Sequence, residues 1–251
     1  MKLIPAGIEN FKEMIDKNAY YVDKTNLIID VLNEQVVFCT RPRRFSKTLN
    51  MSMLYYFFSI KEKENAYLFD YLNISKNKNA LKHQNKYPTI FISLKDMKVP
   101  SMENQLLNFS SIIARLLDQF EDILDYDIFN DREKTLLNKY HMGIASKNEL
   151  AESLLNISIC LEKYYHQKVI ILIDEYDVPL DKAFQNGYYR EMVTLIRGLF
   201  GEAFKTNDFL QFAVLAGCLR ISKESIFTGL NNFKGYAAND LRYDEAFGFT
   251  N

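Results

Sequence analysis

The sequence predicts an α/β fold: a mostly parallel sheet with helices on both faces and helical inserts. Two patterns carry this. Short apolar runs alternate with longer stretches of helical periodicity along the chain. One of those runs, Val169–Ile173, is apolar without a break, as in a central strand covered on both sides. Composition agrees: of 251 residues, 48% are hydrophobic and 25% charged, and only 9 Gly and 5 Pro are present, which favours long regular elements. No internal repeat, Gly/Ser-rich linker or low-complexity tract divides the chain, so one domain over residues 1–251 is expected.

Taken in order, "YYVDKTNLIIDV" (Tyr20–Val31) predicts a helix, with Asp23 able to cap it and Leu27, Ile28 and Val31 on one side. "QVVFCT" (Gln35–Thr40) is a buried strand. "KTLNMSMLYYFFSI" (Lys47–Ile60) is a helix with Leu49, Met53, Phe57 and Ile60 on one face. Lys61–Lys86, rich in Lys and Asn, reads as a surface insert or short helices. Tyr87–Leu94 is a second strand, Met102–Ile123 a long amphipathic helix, and Asp125–Gly143 a helical insert. Ser146 and Glu149 form the capping-box pattern S-x-x-E and open a helix to about His166. The strand at Lys168–Asp177 follows, then a helix over Tyr188–Lys205 and a fourth strand over Phe209–Arg220. The tail, Ile221–Asn251, reads as irregular.

The bulk numbers exclude several classes. A net charge of −1 gives no basic field for nucleic acid, so any such contact needs a local patch. Cys39, Cys160 and Cys218 lie in separate apolar runs, too few and too scattered for a disulfide framework or zinc site, which suits a reducing cytoplasm. The opening "MKLIPAGIENF" is not a secretory signal, and no apolar run approaches the ~18 residues of a membrane helix.

Chemistry concentrates in two places. "TRPRRFSKT" (Thr40–Thr48) sits between a strand and a helix, where a phosphate loop G-x-x-x-x-G-K-[ST] belongs. Lys47 and Thr48 are in place, and Arg41 and Ser46 fill the two glycine slots. Lys47 would reach β- and γ-phosphates, Thr48 would turn its hydroxyl to Mg²⁺, and helix-start amides would favour an anion. Arg41, Arg43 and Arg44 add guanidiniums that can clasp phosphate. The candidate phosphate-binding residues are therefore Arg41, Pro42, Arg43, Arg44, Phe45, Ser46, Lys47 and Thr48.

The second place is "LIDEYD". Asp174, at the carboxyl end of a buried strand, is placed to hold Mg²⁺; Glu175 can activate a water; Asp177 can share the metal or cap the next turn. A strand–loop–helix with Lys-Thr, followed by a buried strand ending in Asp-Glu, is the paired signature of a P-loop NTPase. The fold expected is thus a P-loop NTPase-like three-layer sandwich. Arg220, just past the fourth strand, is a candidate sensor of the γ-phosphate, and Arg197 could meet a neighbouring subunit's nucleotide, although salt-bridge roles are commoner for both. His83, His141 and His166 stand apart, with no metal-ligand spacing.

Four segments, "GIENFKEMIDKNAYYVDKTNLI", "FCTRPRRFSKTLNMSMLYYFF", "ILIDEYDVPL" and "LAGCLRISKESIFTGLNNF", together resemble the predicted AAA-ATPase-like family of bacterial proteins, over about Ile4 to Phe249. Such modules often precede a PD-(D/E)XK nuclease-like domain. The family's loop resembles R-P-R-R-F-G-K-[ST], so the arginines are a family trait and Ser46, where glycine is usual, is the departure. The resemblance implies ATP and Mg²⁺: Lys47 on phosphate, Thr48 and Asp174 on Mg²⁺, Glu175 as base, and the Asp23 segment near the adenine. It also implies that relatives continue into a helical lid and nuclease-like domain beyond "YDEAFGFTN".

The function expected is an ATP-binding, ATP-hydrolysing AAA-like switch, working with a second copy or another protein, and meeting nucleic acid only through a further domain. Two alternatives stand beside it: an interaction module with a degenerate nucleotide site, and a metal-dependent nucleic-acid processor using Asp174, Glu175 and Asp177.

Overall fold

The computed structural model describes residues 3–42, 44–124, 127–218 and the backbone of 233–236. In chain order the elements are α1 (Phe11–Asp16), α2 (Leu27–Leu32), β1 (Val36–Thr40), α3 (Lys47–Phe58), α4 (Lys78–Leu81), β2 (Thr89–Ser93), α5 (Met102–Asp118), α6 (Asp131–His141), α7 (Lys147–Ala151), α8 (Ser153–Tyr165), β3 (Val169–Asp174), α9 (Val178–Gln185), α10 (Tyr189–Phe204), β4 (Leu210–Gly217) and β5 (Phe233–Tyr236), with 3₁₀ turns at Ile60–Phe69, Asn73–Lys76 and Glu121–Ile123.

The five strands form one parallel sheet in the order β2-β3-β4-β1-β5. Side chains alternate through it into two cores. Val37, Cys39, Ile170, Leu172, Phe212 and Val214 pack with α1 to α4 on one face. Val36, Phe38, Ile171, Ile173, Ala213 and Leu215 pack with α5 to α10 on the other. This is a three-layer α/β sandwich of the P-loop NTPase kind. It explains why β3 shows no polar alternation: all six residues are buried, and each large aliphatic contributes roughly 1.5–3 kcal/mol of burial.

Helix boundaries follow local chemistry. Ser146 and Glu149 form the expected capping box, but the helix it opens ends at Ala151, and α8 starts afresh at Ser153. A second capping box, Asn130 with Glu133, starts α6 inside the segment read as an insert. The helix expected from Tyr20 begins only at Leu27. Asp23 is engaged in a turn instead: its carboxylate accepts from Thr25 N–H (2.9 Å) and Oγ1 (2.6 Å) and from Asn73 N–H (2.7 Å). That leaves Asp23 as a strut between two segments. Helix α5 stops at Asp118, five residues short of the expected end, and a 3₁₀ turn replaces its last stretch. The tail, expected to be irregular, contributes β5, paired with β1 from Val36 to Cys39. Among the described residues no helix is long and apolar enough to cross a membrane.

Candidate functional site

The carboxyl ends of β1, β4 and β3 lie side by side. Thr40 is in register with Gly217, and Ala216 with Asp174. That edge is where open parallel sheets bind ligands. Because β4 separates β1 from β3, the loop after β1 and the acids after β3 meet only if α3 spans the gap, and it does. Thr48, in the first turn of α3, donates through Oγ1 to Asp174 Oδ2 at 2.7 Å. Asp174 shares its face of the sheet with Ile170 and Leu172, the face α3 covers.

Lys47, the first residue of α3, is buried, and its ammonium donates to Arg41 O (3.0 Å) and Pro42 O (2.8 Å). The cation therefore sits within the loop, held by backbone carbonyls. Ser46 precedes it with φ 56° and ψ 24°, left-handed, and its side chain makes no capping bond to the helix amides. Arg44 also has a positive φ of 69°. The loop thus keeps a glycine-like path with side chains present, at about 1–2 kcal/mol for each residue so placed. Ser46→Gly removes one such cost but adds freedom to the unfolded chain. The expected result is unchanged stability or a gain of up to about 1 kcal/mol in chemical denaturation. A loss of more than that would mean the serine hydroxyl itself holds the loop.

The loop's other residues divide by exposure. Pro42, Arg44 and Phe45 face solvent. Arg41 is buried; its Nη1 donates to Thr40 O (3.0 Å) and its backbone N–H to Gly217 O (3.1 Å). Arg43 lies outside the described residues, as does Arg220. Arg197 is exposed on α10, in the layer opposite α3. His83 is half-buried with Nδ1 2.5 Å from Tyr87 Oη, and His141 pairs with Asp118 at 3.0 Å. Among the described residues no three His, Cys, Asp or Glu side chains gather to hold a metal ion.

The acidic turn has its own geometry. Burial, opposed by the Thr48 hydrogen bond and reinforced by the charge of Glu175, pushes the Asp174 carboxyl up to about 6. Its Oδ1 accepts from Glu175 N–H at 3.0 Å. Glu175 is left-handed, φ 53°, and half-buried; this turns the chain so that Tyr176 N–H reaches Ala216 O at 3.3 Å. Asp177 is buried and stands at the N-cap of α9, yet does not cap it. Its Oδ2 accepts instead from Cys218 N–H at 3.0 Å. The three acids therefore face different partners: Asp174 faces Thr48, Asp177 faces the end of β4, and Glu175 stands between. The expectation that they form one metal set finds no support in this arrangement.

Sequence reading missed Gly217 as part of the site. The signal was a glycine at the end of a buried strand, which marks a close backbone approach. A cavity of about 310 Å³ lined by Arg132, Leu136, Tyr140, Asn156 and Cys160 lies between α6 and α8, on the side of the sheet away from α3. It brings none of the loop or turn residues together, so the chemistry of the strand ends, not cavity size, marks the candidate site.

A family model described as Predicted AAA-ATPase matches residues 5–227. A protein encoded in the 5′ region of vnfD in Azotobacter chroococcum mcd 1 is 26% identical over 255 residues, covering 99% of this chain and 43% of that protein. The chain thus spans less than half the length of that curated relative. No solved structure matches.

Proposed function

The chain belongs to the predicted AAA-ATPase family, and from that premise we propose that it binds ATP at the loop Arg41–Thr48 and hydrolyses it, using the change of ligand as a conformational switch. The observation that carries this reading is the 2.7 Å bond between Thr48 and Asp174, which joins the two halves of the signature across β4. The start of α3 supports it, since the Ser46 side chain does not cap the helix amides.

In this reading Lys47 exchanges the carbonyls of Arg41 and Pro42 for β- and γ-phosphate oxygens. Arg44, exposed beside it, supplies a guanidinium to the same charge, and Arg43 and Arg220 are assigned to that role from sequence. Glu175 takes a proton from the attacking water as its oxygen bonds the γ-phosphorus and the bond to the bridging oxygen breaks, giving ADP and phosphate. Thr48 and Asp174 present hard oxygen donors, which suit Mg²⁺. Bound there, it would neutralise charge on the phosphate oxygens. The switch's partner, a second copy or another protein, is part of the proposal.

The test is thermal unfolding and phosphate release with and without Mg·ATP. A rise in melting temperature together with slow phosphate release supports hydrolysis. A rise without release supports a binding-only module. No rise at millimolar nucleotide overturns the reading.

A further inference from the structure

We propose that Asp177 is a positioning residue that locks the acidic turn onto the end of β4, so that the backbone around Gly217 ties the turn bearing Glu175 to the loop bearing Lys47. The inference rests on the ATP reading above and concerns how its two halves are held in register.

Three consecutive residues of one strand end make the connection. Ala216 O accepts from Tyr176 N–H, Gly217 O accepts from Arg41 N–H, and Cys218 N–H donates to Asp177 Oδ2. Arg41 is the first loop residue, and its own carbonyl holds Lys47. One side of the strand end therefore grips the loop and the other grips the turn. The contact is close because position 217 has no side chain. A Cβ there would stand 2.6 Å from Asp177 Oδ1 and 2.7 Å from Tyr176 Cε1, too near for either to remain. Asp177 leaves α9 without a side-chain cap to make this bond, giving up the usual stabilisation of an N-cap. A buried carboxylate on a backbone amide is a strong, directional restraint. It fixes where the left-handed Glu175 stands relative to Lys47.

The restraint predicts an effect on turnover rather than on affinity. Asp177→Ala is expected to lower kcat for ATP by about tenfold or more while KM changes less than about threefold. Asp177→Asn, which keeps an oxygen acceptor of the same reach, is expected to recover most of that loss. In the nucleotide-free protein, hydrogen exchange at the Cys218 amide should be about tenfold faster or more in Asp177→Ala than in wild type. A non-hydrolysable ATP analogue should slow exchange at that amide in wild type, because coupling between sites is reciprocal. Gly217→Ala should reproduce the kcat loss. If that variant does not fold, the Asp177 pair decides alone.

The proposal is overturned if Asp177→Ala turns over within about twofold of wild type. It falls equally if Asn is as impaired as Ala, or if KM and kcat deteriorate together. Those results, obtained with a wild type that binds and hydrolyses ATP, would leave the functional reading standing. A wild type that binds no analogue would overturn both.

Discussion

Lys47→Ala is expected to abolish the rise in unfolding temperature that millimolar Mg·ATP gives the wild-type protein. A ligand present at a hundred times its Kd stabilises by about 2.7 kcal/mol. For a chain of this length that is a shift of roughly 5–10 °C. The variant removes the cation that the loop encloses and leaves the carbonyls of Arg41 and Pro42 without their donor. Pro42 is exposed, so water can reach the vacated position, and the nucleotide-free protein should lose only about 1 kcal/mol. The two effects separate cleanly: a small fall in melting temperature without nucleotide, and no response to nucleotide. Lys47→Arg should not restore binding, because a planar guanidinium does not replace a compact ammonium between two carbonyls. A variant that responds to Mg·ATP as wild type does would remove Lys47 from the site.

The second large effect is a gain. Asp174→Asn is expected to stabilise the metal-free protein at neutral pH while ending its response to Mg·ATP. The Asp174 carboxyl titrates at about 6 in the folded chain against 3.8 as its ordinary value. Between those values the folded state holds a proton that the unfolded state has released, so raising the pH favours unfolding. The stability tied to this group is complete below about pH 4 and is lost as the pH rises through about 6, by roughly 2–3 kcal/mol. The cause is the burial of a charge beside Glu175, only partly offset by Thr48 and Lys47. Asparagine keeps the shape and the bonds: its oxygen can accept from Glu175 N–H while its amide donates to Thr48 Oγ1. Denaturation in chelator from pH 4 to pH 8 should show the wild type losing stability across that window relative to the variant. Parallel curves would mean Asp174 carries no such burden.

The site halves were legible because each lies in a strongly constrained stretch. Val36–Cys39 and Val169–Ile173 are apolar without alternation, and in the structure both are buried between two helical layers. The motif residues follow them directly. Less legible was whatever depended on partners distant in sequence. Nothing local told that β4 stands between β1 and β3, and so that Thr48 must reach over it. The helical spacing of Leu27, Ile28 and Val31 lies within α2; the helix was expected to start earlier because Asp23 was read as its cap, but the bonds of Asp23 to Thr25 and Asn73 hold Asp23 in a turn instead. Helix α9 went unread although Pro179 in its first turn is a helix-start signal. Helix α1 is six residues long, and its sign was Asn10 accepting from Glu13 N–H. Strand β5 spans four residues and draws its order from pairing with β1, which no local pattern reveals.

The position of β1 also bears on how the protein comes to be made. Both of its neighbours, β4 and β5, are drawn from residues 210 onward. During synthesis the strand that delivers the loop waits with both edges open, while β2 and β3 can already zip together. A nascent chain halted before β4 emerges would expose unpaired backbone along Val36–Thr40, an invitation to wrong partners. Ribosome-bound chains whose emerged part ends near residue 205 should therefore need a chaperone, and those with residue 236 clear of the ribosome should not.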